Sequence, residues 1–446
     1  MLYDYIIIGG GISGLYTYYQ LLKKDPSLNI ILFEKNDYFG GRIKTTYKKI
    51  NSNEYQMEDG AGRFNKNHTL LFHLITELGL EKNIIKIDGK STFIDVKNLF
   101  HEKEFQNKNS FDYIEIILKK AKKENKDVLM SLSFSEYAST ILNKKQMNFM
   151  IQSSGYYGRL VKMNAYDAYR VFKNDIRDNI DYYTLKNGMS SIIKKLLVKI
   201  KEYRGKYRLN SEITDFDIKY NKNNDNMDNK NNDNKNNNNN KDNNKDDSNN
   251  KLFYIKINNK NQEKIYISKK ILLCVPKSCL LSLSYFQNSY YKKLFNSIQT
   301  EPLCRIYNIY KEIWFTKIGK ITTNNRLKYI IPINKKTGLI MISYTDNKNA
   351  KYWKNIQDKK NDLDTIIVKD VKKIFDIDIS KSMYNHVCYW KDGTNYWKPS
   401  YNSTIISNKI LQIDKSTPLF ILGEAYSTNQ GWVEGALRSS DIFLKL

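Results

Sequence analysis

The chain has 446 residues, which is long enough to bury a large core and to form two or three domains. Its formal net charge is +26, but the lysines are spread along the chain and gather in no single basic block. We therefore predict a basic, solvated surface with no dedicated nucleic-acid site. No apolar run approaches the roughly 18 residues of a membrane span, so no membrane span is expected.

The cysteines and histidines indicate neither a disulfide framework nor a metal site. Four cysteines, at positions 274, 279, 304 and 388, form no CxxC pair, and the chain has only four histidines. This usage favours a reducing compartment, and we expect a cytoplasmic protein without a bound metal.

The first 34 residues predict a β-turn-α-β unit. Residues 2–8 are dense in β-branched and aromatic side chains and predict a buried strand. A glycine turn follows, then a helix over Ser13–Lys24, and then a strand over 29–33 that ends at Glu34.

Later segments alternate between helical and strand patterns. Helices are predicted over 68–80 and through most of 110–175, strands between 252 and 345, and a last strand at 419–422 before a helix that begins near Trp432. Residues 221–250 contain 17 Asn and almost nothing apolar, so we expect them to be disordered. Because 211–220 and 252–257 both predict strands, the tract is interpreted as a long hairpin loop inside one domain.

The glycine turn has the spacing of a dinucleotide-binding site. Residues 9–14 (GGGISG) satisfy G-x-G-x-x-G between a strand and a helix. Gly9 permits the tight turn, Gly11 permits a pyrophosphate to approach the backbone, and Gly14 permits the helix to pack closely on the strand. The helix N-terminus then faces the phosphates. Glu34, 20 residues after Gly14, is expected to accept hydrogen bonds from ribose hydroxyls, and its charge disfavours the 2′-phosphate of NADP.

A second glycine pair precedes an arginine at positions 40–42 (GGR). We expect Arg42 to provide a further cationic clamp on a pyrophosphate; the alternative is an ordinary surface charge.

In these motifs the chain resembles the flavin-containing amine oxidase family, which includes monoamine, polyamine and L-amino-acid oxidases. Further resemblances follow in chain order: EDGAGRF (58–64), LKNGMSSI (185–192), Ile213, KILLCVP (270–276), Gly423-Glu424 and GWVEGA (431–436). The resemblance implies noncovalent or covalent FAD, held by Gly9, Gly11, Ser13, Gly14, Glu34, Lys35, Gly41, Arg42, Gly60, Ala61, Gly62, Arg63, Ile213, Gly423, Glu424, Trp432, Val433 and Ala436.

The resemblance also implies an α/β fold with two domains. A discontinuous Rossmann-like FAD-binding domain is expected from residues 1–95, 180–275 and 400–446. A substrate-binding domain, with a mixed sheet and helices, is expected from 96–179 and 276–399.

Three residues are the predicted catalytic set. In the resembled family two aromatic rings flank the amine, and Trp432 matches one of them, while Tyr396 or the adjacent Trp397 matches the other. Arg305 aligns where many relatives have a lysine that holds a water, and it could instead pair with a substrate carboxylate. Family members with covalent flavin carry a cysteine where this chain has Asn395, so noncovalent FAD is expected.

The sequence therefore predicts FAD-dependent oxidation of an amine or amino acid, with hydride transfer to flavin N5 and molecular oxygen as acceptor. One alternative is another FAD-dependent oxidase, a desaturase or a sugar-mutase-like flavoprotein of the same fold. A second alternative is a non-catalytic, FAD-stabilised interaction protein with a basic surface. Residues 154–159 are expected near the substrate entrance.

Overall fold

A computed structural model describes residues 1–177, 180–220 and 251–446. The strands are β1 (Leu2–Ile8), β2 (Ile30–Phe33), β3 (Thr45–Ile50), β4 (Asn53–Glu58), β5 (Phe64–Asn65), β6 (Ile84–Ile87), β7 (Thr92–Ile94), β8 (Tyr182–Leu185), β9 (Lys206–Arg208), β10 (Ser211–Tyr220), β11 (Lys251–Asn259), β12 (Gln262–Leu273), β13 (Ile298–Ile309), β14 (Ile321–Thr323), β15 (Tyr329–Asn334), β16 (Leu339–Asp346), β17 (Tyr384–Trp397) and β18 (Leu419–Ile421).

The α-helices are α1 (Ile12–Lys24), α2 (Thr69–Glu77), α3 (Ser110–Ala121), α4 (Lys126–Ser131), α5 (Phe134–Ser139), α6 (Lys144–Ser153), α7 (Tyr157–Val161), α8 (Ala165–Asn174), α9 (Ser190–Glu202), α10 (Lys277–Leu280), α11 (Ser289–Asn296), α12 (Asn347–Asp358), α13 (Leu363–Phe375), α14 (Ser403–Leu411) and α15 (Val433–Leu444).

The first sheet has seven strands and carries the predicted dinucleotide-binding unit. Its order is β10-β11-β12-β1-β2-β9, and β18 also pairs with β12. Strands β12, β1, β2 and β9 run parallel, so their carboxyl ends meet at one edge, where the glycine turn after β1 lies. All four residues of β2 are buried, as expected for a parallel strand covered on both faces. The expected Rossmann-like unit is confirmed.

The second sheet has six strands in the order β17-β13-β16-β15-β14-β7. Helices α3–α8 surround a separate apolar cluster that includes Tyr396 from the end of β17. This mixed sheet with its helices confirms the predicted fold class. Strand β7 pairs in parallel with β14, so residues 92–94 belong to the second sheet although they precede position 95. The domain boundaries themselves stay a prediction.

The two ends of the chain meet at the first sheet. Helix α1 packs against α15, and the Ser13 hydroxyl lies 2.8 Å from that of Ser440, 427 positions away. Glu434, fully buried in the first turn of α15, accepts hydrogen bonds from the backbone N–H groups of Leu70 and Leu71. The first N–H groups of a helix have no partner within that helix. Glu434 of α15 therefore supplies the hydrogen-bond acceptors for the start of α2.

Strands β10 and β11 form the predicted antiparallel hairpin, with Tyr220 opposite Lys251. The expected disorder of 221–250 concerns residues outside those that the structure describes. All four cysteines are free of disulfides. Within the described ranges, every helix is too short or too polar to cross a bilayer.

Candidate active site

A cavity of about 1030 Å³ runs from the glycine turn after β1 to the second sheet. It is lined by the predicted residues Gly9, Gly11, Ser13, Glu34, Lys35, Gly41, Arg42, Gly60, Ala61, Gly62, Arg63, Ile213, Arg305, Tyr396, Gly423, Glu424, Trp432, Val433 and Ala436. Gly14 is absent from the lining because it lies inside the packing of α1. The fold therefore brings together residues from both ends of the chain around one cavity.

The glycine turn presents bare backbone to this cavity. A Cβ on Gly11 would meet no atom within 4 Å, whereas one on Gly14 would lie 2.1 Å from the Gly9 carbonyl oxygen. Helix α1 begins at this point without a side-chain cap and without an acidic residue in its first turn. Its first N–H groups are thus available to an anion.

Glu34 is buried at the end of β2 and accepts three hydrogen bonds. They come from the Gly10 N–H at 2.7 Å, the Asn36 N–H at 2.9 Å and the Asn36 side-chain amide at 2.7 Å. Because an ionised carboxylate has about four acceptor sites, Glu34 fixes the glycine turn and retains capacity toward the cavity.

Arg42 connects the second glycine pair to the C-terminal segment. Its guanidinium donates to the Glu424 carboxylate at 2.7 Å and to the Gly393 carbonyl at 3.1 Å, and its side chain is 37% exposed. Glu424 also accepts from the Asn395 amide at 3.0 Å and from the Gly431 N–H. Arg42 is therefore a partly exposed cross-link beside the cavity, ion-paired with the buried carboxylate of Glu424.

Glu58 lines the cavity, and burial shifts the pKa of its carboxyl group. Its oxygens accept from the Met189 N–H at 3.0 Å and the Thr45 hydroxyl at 2.9 Å. Burial outweighs these hydrogen bonds and raises the pKa of Glu58 from 4.5 to about 7. The ionised form is thus disfavoured in the folded protein.

We expect Glu58→Gln to be more stable than the wild type at high pH only. A raised pKa in the folded state means that stability falls as pH rises between about 4.5 and 7, because the unfolded chain ionises Glu58 first. The amide keeps an acceptor for Met189 and a donor for Thr45. The variant should match the wild type at pH 4.5 and gain on the order of 2–3 kcal/mol above pH 7. Urea unfolding across this range measures the difference; Glu54→Gln, at the exposed start of β4, is the control. A pH-independent difference would contradict this explanation.

Tyr396 and Trp432 lie at the end of the cavity near the second sheet. Strand β17 alternates its side chains, so Tyr396 lines the cavity while Trp397 points to the opposite core and donates its indole N–H to the Ser427 carbonyl at 3.0 Å. Burial raises the pKa of Tyr396, so its phenol stays neutral. Trp432 packs on His68 with ring centroids 4.6 Å apart, and its buried indole N–H has no hydrogen-bond partner among the described residues.

Arg305 enters the same region from β13. Its guanidinium donates to the Glu58 carbonyl at 2.7 Å and lies 4.5 Å from the ring centroid of Tyr344. An arginine remains cationic at neutral pH and cannot accept a proton, so Arg305 serves as an anchor or a charge and not as a base.

Two features at or next to the cavity were not predicted in full from the sequence. Tyr156, Tyr329 and Tyr344 form a contiguous aromatic cluster, with centroids 5.2–6.0 Å apart. Tyr156 lies in the predicted entrance segment 154–159, but Tyr329 and Tyr344 were not predicted, because tyrosines are too numerous in this chain for composition to distinguish them. Tyr156 is also the neighbour of two arginines, Arg63 and Arg159.

The second feature is a cluster of Asp59, His386 and Cys388, of which Asp59 lines the cavity. His386 Nε2 lies 2.8 Å from Asp59 Oδ1 and 2.9 Å from the Cys388 sulfur, so hydrogen bonds account for the contacts. The three ligand-type atoms lie within 4.8 Å of one another, although the cysteine spacing in the sequence indicates no metal site. An H-x-C pattern on one strand face was the available signal, since i and i+2 share a face. The cluster fixes Asp59, whose carbonyl accepts from the Trp390 indole.

Residues 12–222 match the sequence profile described as flavin containing amine oxidoreductase. In addition, 100 residues are 32% identical to a Dictyostelium discoideum protein named "Probable flavin-containing monoamine oxidase A", covering 21% of each chain. Over residues 12–222 the chain is therefore similar to the flavin-containing amine oxidoreductase family.

Two further similarities are to proteins named as oxidases. Over 92 residues the chain is 33% identical to the coproporphyrinogen III oxidase of Staphylococcus aureus, covering 21% of this chain and 19% of that protein. The matched segments thus span about a fifth of these two relatives. A double mutant of putrescine oxidase, made in a redesign of cofactor binding, superposes with a TM-score of 0.71 over 100% of this chain and 98% of that chain. At 13% identity this likeness concerns the fold.

The residues present fit the flavin that gives the family its name. The open face of Gly11, the uncapped start of α1 and the remaining acceptor capacity of Glu34 lie at one end of the cavity. Aromatic and small side chains line the other end. The cavity is at the upper limit of the 300–1,000 Å³ typical of ligand sites, which suits a cofactor together with a substrate.

Proposed function

We propose that this protein is an FAD-dependent oxidoreductase that oxidises an amine or an amino acid, with oxygen as the electron acceptor. The observation that carries the proposal is the single cavity that joins the glycine turn, Glu34 and Arg42 to Tyr396 and Trp432. In this assignment the glycine turn and α1 bind the pyrophosphate and Glu34 binds the ribose. When bound, the flavin supplies a two-electron acceptor for the carbon next to nitrogen.

The chain's own residues then orient the substrate and exclude water. Tyr396 and Trp432 provide apolar ring faces on the cavity wall, and the rings of Tyr156, Tyr329 and Tyr344 cover the same cavity, so a bound substrate would be enclosed largely by aromatic side chains. Tyr396 stays protonated because burial raises its pKa, so it can donate a hydrogen bond but does not act as a base. Arg305 contributes a fixed positive charge beside Tyr344.

Anaerobic reduction tests the proposed reaction. The purified yellow protein is mixed with a panel of amines and amino acids without oxygen, and the flavin absorbance in the blue is followed. Loss of absorbance with at least one compound, and recovery on admission of air with formation of hydrogen peroxide, is expected. A flavin that stays oxidised across the panel would contradict the amine and amino-acid assignment.

We expect the flavin to be bound noncovalently. Asn395 stands where covalent relatives carry a cysteine, and its amide is engaged with Glu424. The two cysteines that line the cavity, Cys274 and Cys279, are unreactive thiols, because burial raises their pKa values to about 12 and about 11. Acid precipitation should therefore leave the flavin in the supernatant; yellow colour retained in the washed pellet would show a covalent bond.

A porphyrinogen is the second candidate substrate. The similarity to a coproporphyrinogen III oxidase and the large cavity both favour it. Coproporphyrinogen in the same anaerobic assay separates the two candidates, since only the second predicts flavin reduction by it. If neither class of substrate reduces the flavin, the non-catalytic interpretation of the basic chain gains support.

A further inference from the structure

Arg159 is a buried cation without a counter-ion. It lies on α7, its side chain is 7% exposed, and it lines the cavity. Its Nε has no hydrogen-bond partner, and within the described part of the chain no carboxylate comes within 4 Å of its guanidinium. Because taking an unpaired charge out of water is costly, such a group marks the place of an absent anion.

The neighbours of Arg159 place it at the substrate end. Its Nη2 would lie 2.4 Å from a Cβ on Gly431, the residue before Trp432. The neighbouring Gly158 packs against the ring of Tyr396: a Cβ placed on Gly158 would lie 2.8 Å from Cε2 of that ring. The guanidinium carbon is 5.5 Å from the ring centroid of Tyr156. Arg159 therefore lies against the residue that precedes Trp432 and follows the glycine that contacts Tyr396, whose phenol it influences electrostatically.

Two further guanidinium groups reinforce the positive charge there. Arg63 donates to the Tyr156 hydroxyl at 3.3 Å and lies 5.9 Å from the Trp432 ring centroid. Arg305 stacks on Tyr344, whose ring is 5.9 Å from that of Tyr156. As with Arg159, neither forms an ion pair with a carboxylate in the residues that the structure describes.

The acidic groups nearby have other partners. Asp346 directs its carboxylate to the N–H groups of Gly158 at 2.9 Å and Tyr157 at 3.4 Å. Glu301 pairs with Lys162, and Glu424 pairs with Arg42. Glu58 also lines the cavity near Arg305, but its carboxyl group accepts from the Met189 N–H and the Thr45 hydroxyl, and burial raises its pKa to about 7. A cationic ammonium group at this end would thus face three arginines and carboxyl groups that already have partners, and like charges at short range in a buried site repel strongly.

We propose that Arg159 is the centre of a carboxylate-binding subsite, and that the substrate is an anion or zwitterion with at least one carboxylate rather than a simple amine or a diamine. The fork of Arg159 would receive the carboxylate in a bidentate pair, with Arg63 next to it on the other side of Tyr156. This inference rests on the proposed function only in taking the occupant of the subsite as substrate.

The test measures ligand binding to the flavin-loaded protein by titration calorimetry, with the flavin difference spectrum as a second signal. The probes are benzoate, benzamide and benzylamine, which share one ring and differ in charge. We expect benzoate to bind at least 10-fold more tightly than benzamide, and benzylamine to bind most weakly. Benzylamine binding as tightly as benzoate in the wild type would overturn the proposal, and this comparison needs no variant.

Variants then assign the effect to Arg159. Arg159→Gln should weaken benzoate binding about 100-fold and leave benzamide nearly unchanged. Arg159→Lys should lie between, because lysine keeps the charge but not the fork. Arg204→Gln, an exposed arginine outside the cavity, is the charge-matched control and should bind benzoate as the wild type does. Flavin content and melting temperature report whether each variant is folded.

Two results separate this proposal from the proposed function. Unchanged benzoate affinity in folded, yellow Arg159→Gln would overturn the subsite even if some amine reduces the flavin. Conversely, the expected loss of benzoate binding would support the subsite even if no amine or amino acid reduces the flavin, in which case the oxidase assignment alone fails.

Discussion

Gly11→Ala is expected to give a folded protein that purifies without flavin, whereas Gly14→Ala is expected to be strongly destabilised. The two substitutions add the same methyl group three residues apart. At Gly11, where φ is −73°, the methyl would meet no protein atom within 4 Å and would project into the space assigned to the pyrophosphate. At Gly14 it would lie 2.1 Å from a backbone oxygen of Gly9, so α1 must move from the sheet.

The measurements follow from this difference. Gly11→Ala should keep the unfolding midpoint of flavin-free wild type and lose flavin affinity by about 100-fold or more. Gly14→Ala should lose on the order of 3 kcal/mol of stability with or without flavin. A yellow Gly11→Ala protein with wild-type affinity for flavin would contradict the assignment of the glycine turn to the cofactor site. An unfolded Gly11→Ala protein would show instead that the turn tolerates no side chain at all.

The first βαβ unit and the closure by the C-terminal helix were predictable from the sequence. Runs such as 5–8 and 30–33 are apolar on both faces, as is typical of strands in a covered parallel sheet. The hairpin around 221–250 was predictable because strand patterns stop on one side of the tract and resume on the other. These predictions depend on local patterns, and local patterns are what a sequence displays.

The choice between Tyr396 and Trp397 required the fold. Adjacent residues on a strand face opposite sides, so one of the two had to line the cavity, but the direction of β17 relative to the cavity is set by its pairing with β13. The excess of arginines over unpaired carboxylates at the substrate end also could not be predicted from the sequence. Arg159 has no carboxylate partner in the described residues, while Asp346 and Glu301 bind other groups through contacts between segments nearly 190 and 140 positions apart.

Trp432→Ala is expected to retain FAD and to lose turnover by about 100-fold or more. Its backbone forms the N-cap of α15 in an extended conformation that alanine also adopts, so the helix and its contacts to α1 should persist. Its indole, by contrast, forms part of the cavity wall beside His68 and Arg63. Removing the ring leaves a substrate free to take several orientations, and loss of orientation lowers the rate of the chemical step. Single-turnover flavin reduction under anaerobic conditions measures that step directly.

Trp397→Phe is the matched control because it alters a tryptophan of the same region on the opposite face of β17. It removes the indole hydrogen bond to the Ser427 carbonyl in the core, which should lower stability by about 1–2 kcal/mol while the reduction rate stays within about 2-fold of the wild type. If Trp397→Phe slowed flavin reduction as much as Trp432→Ala, the effect would come from a general loosening of the second sheet. If Trp432 lies beside the substrate, only the Trp432 variant should slow flavin reduction, and both proteins should stay yellow.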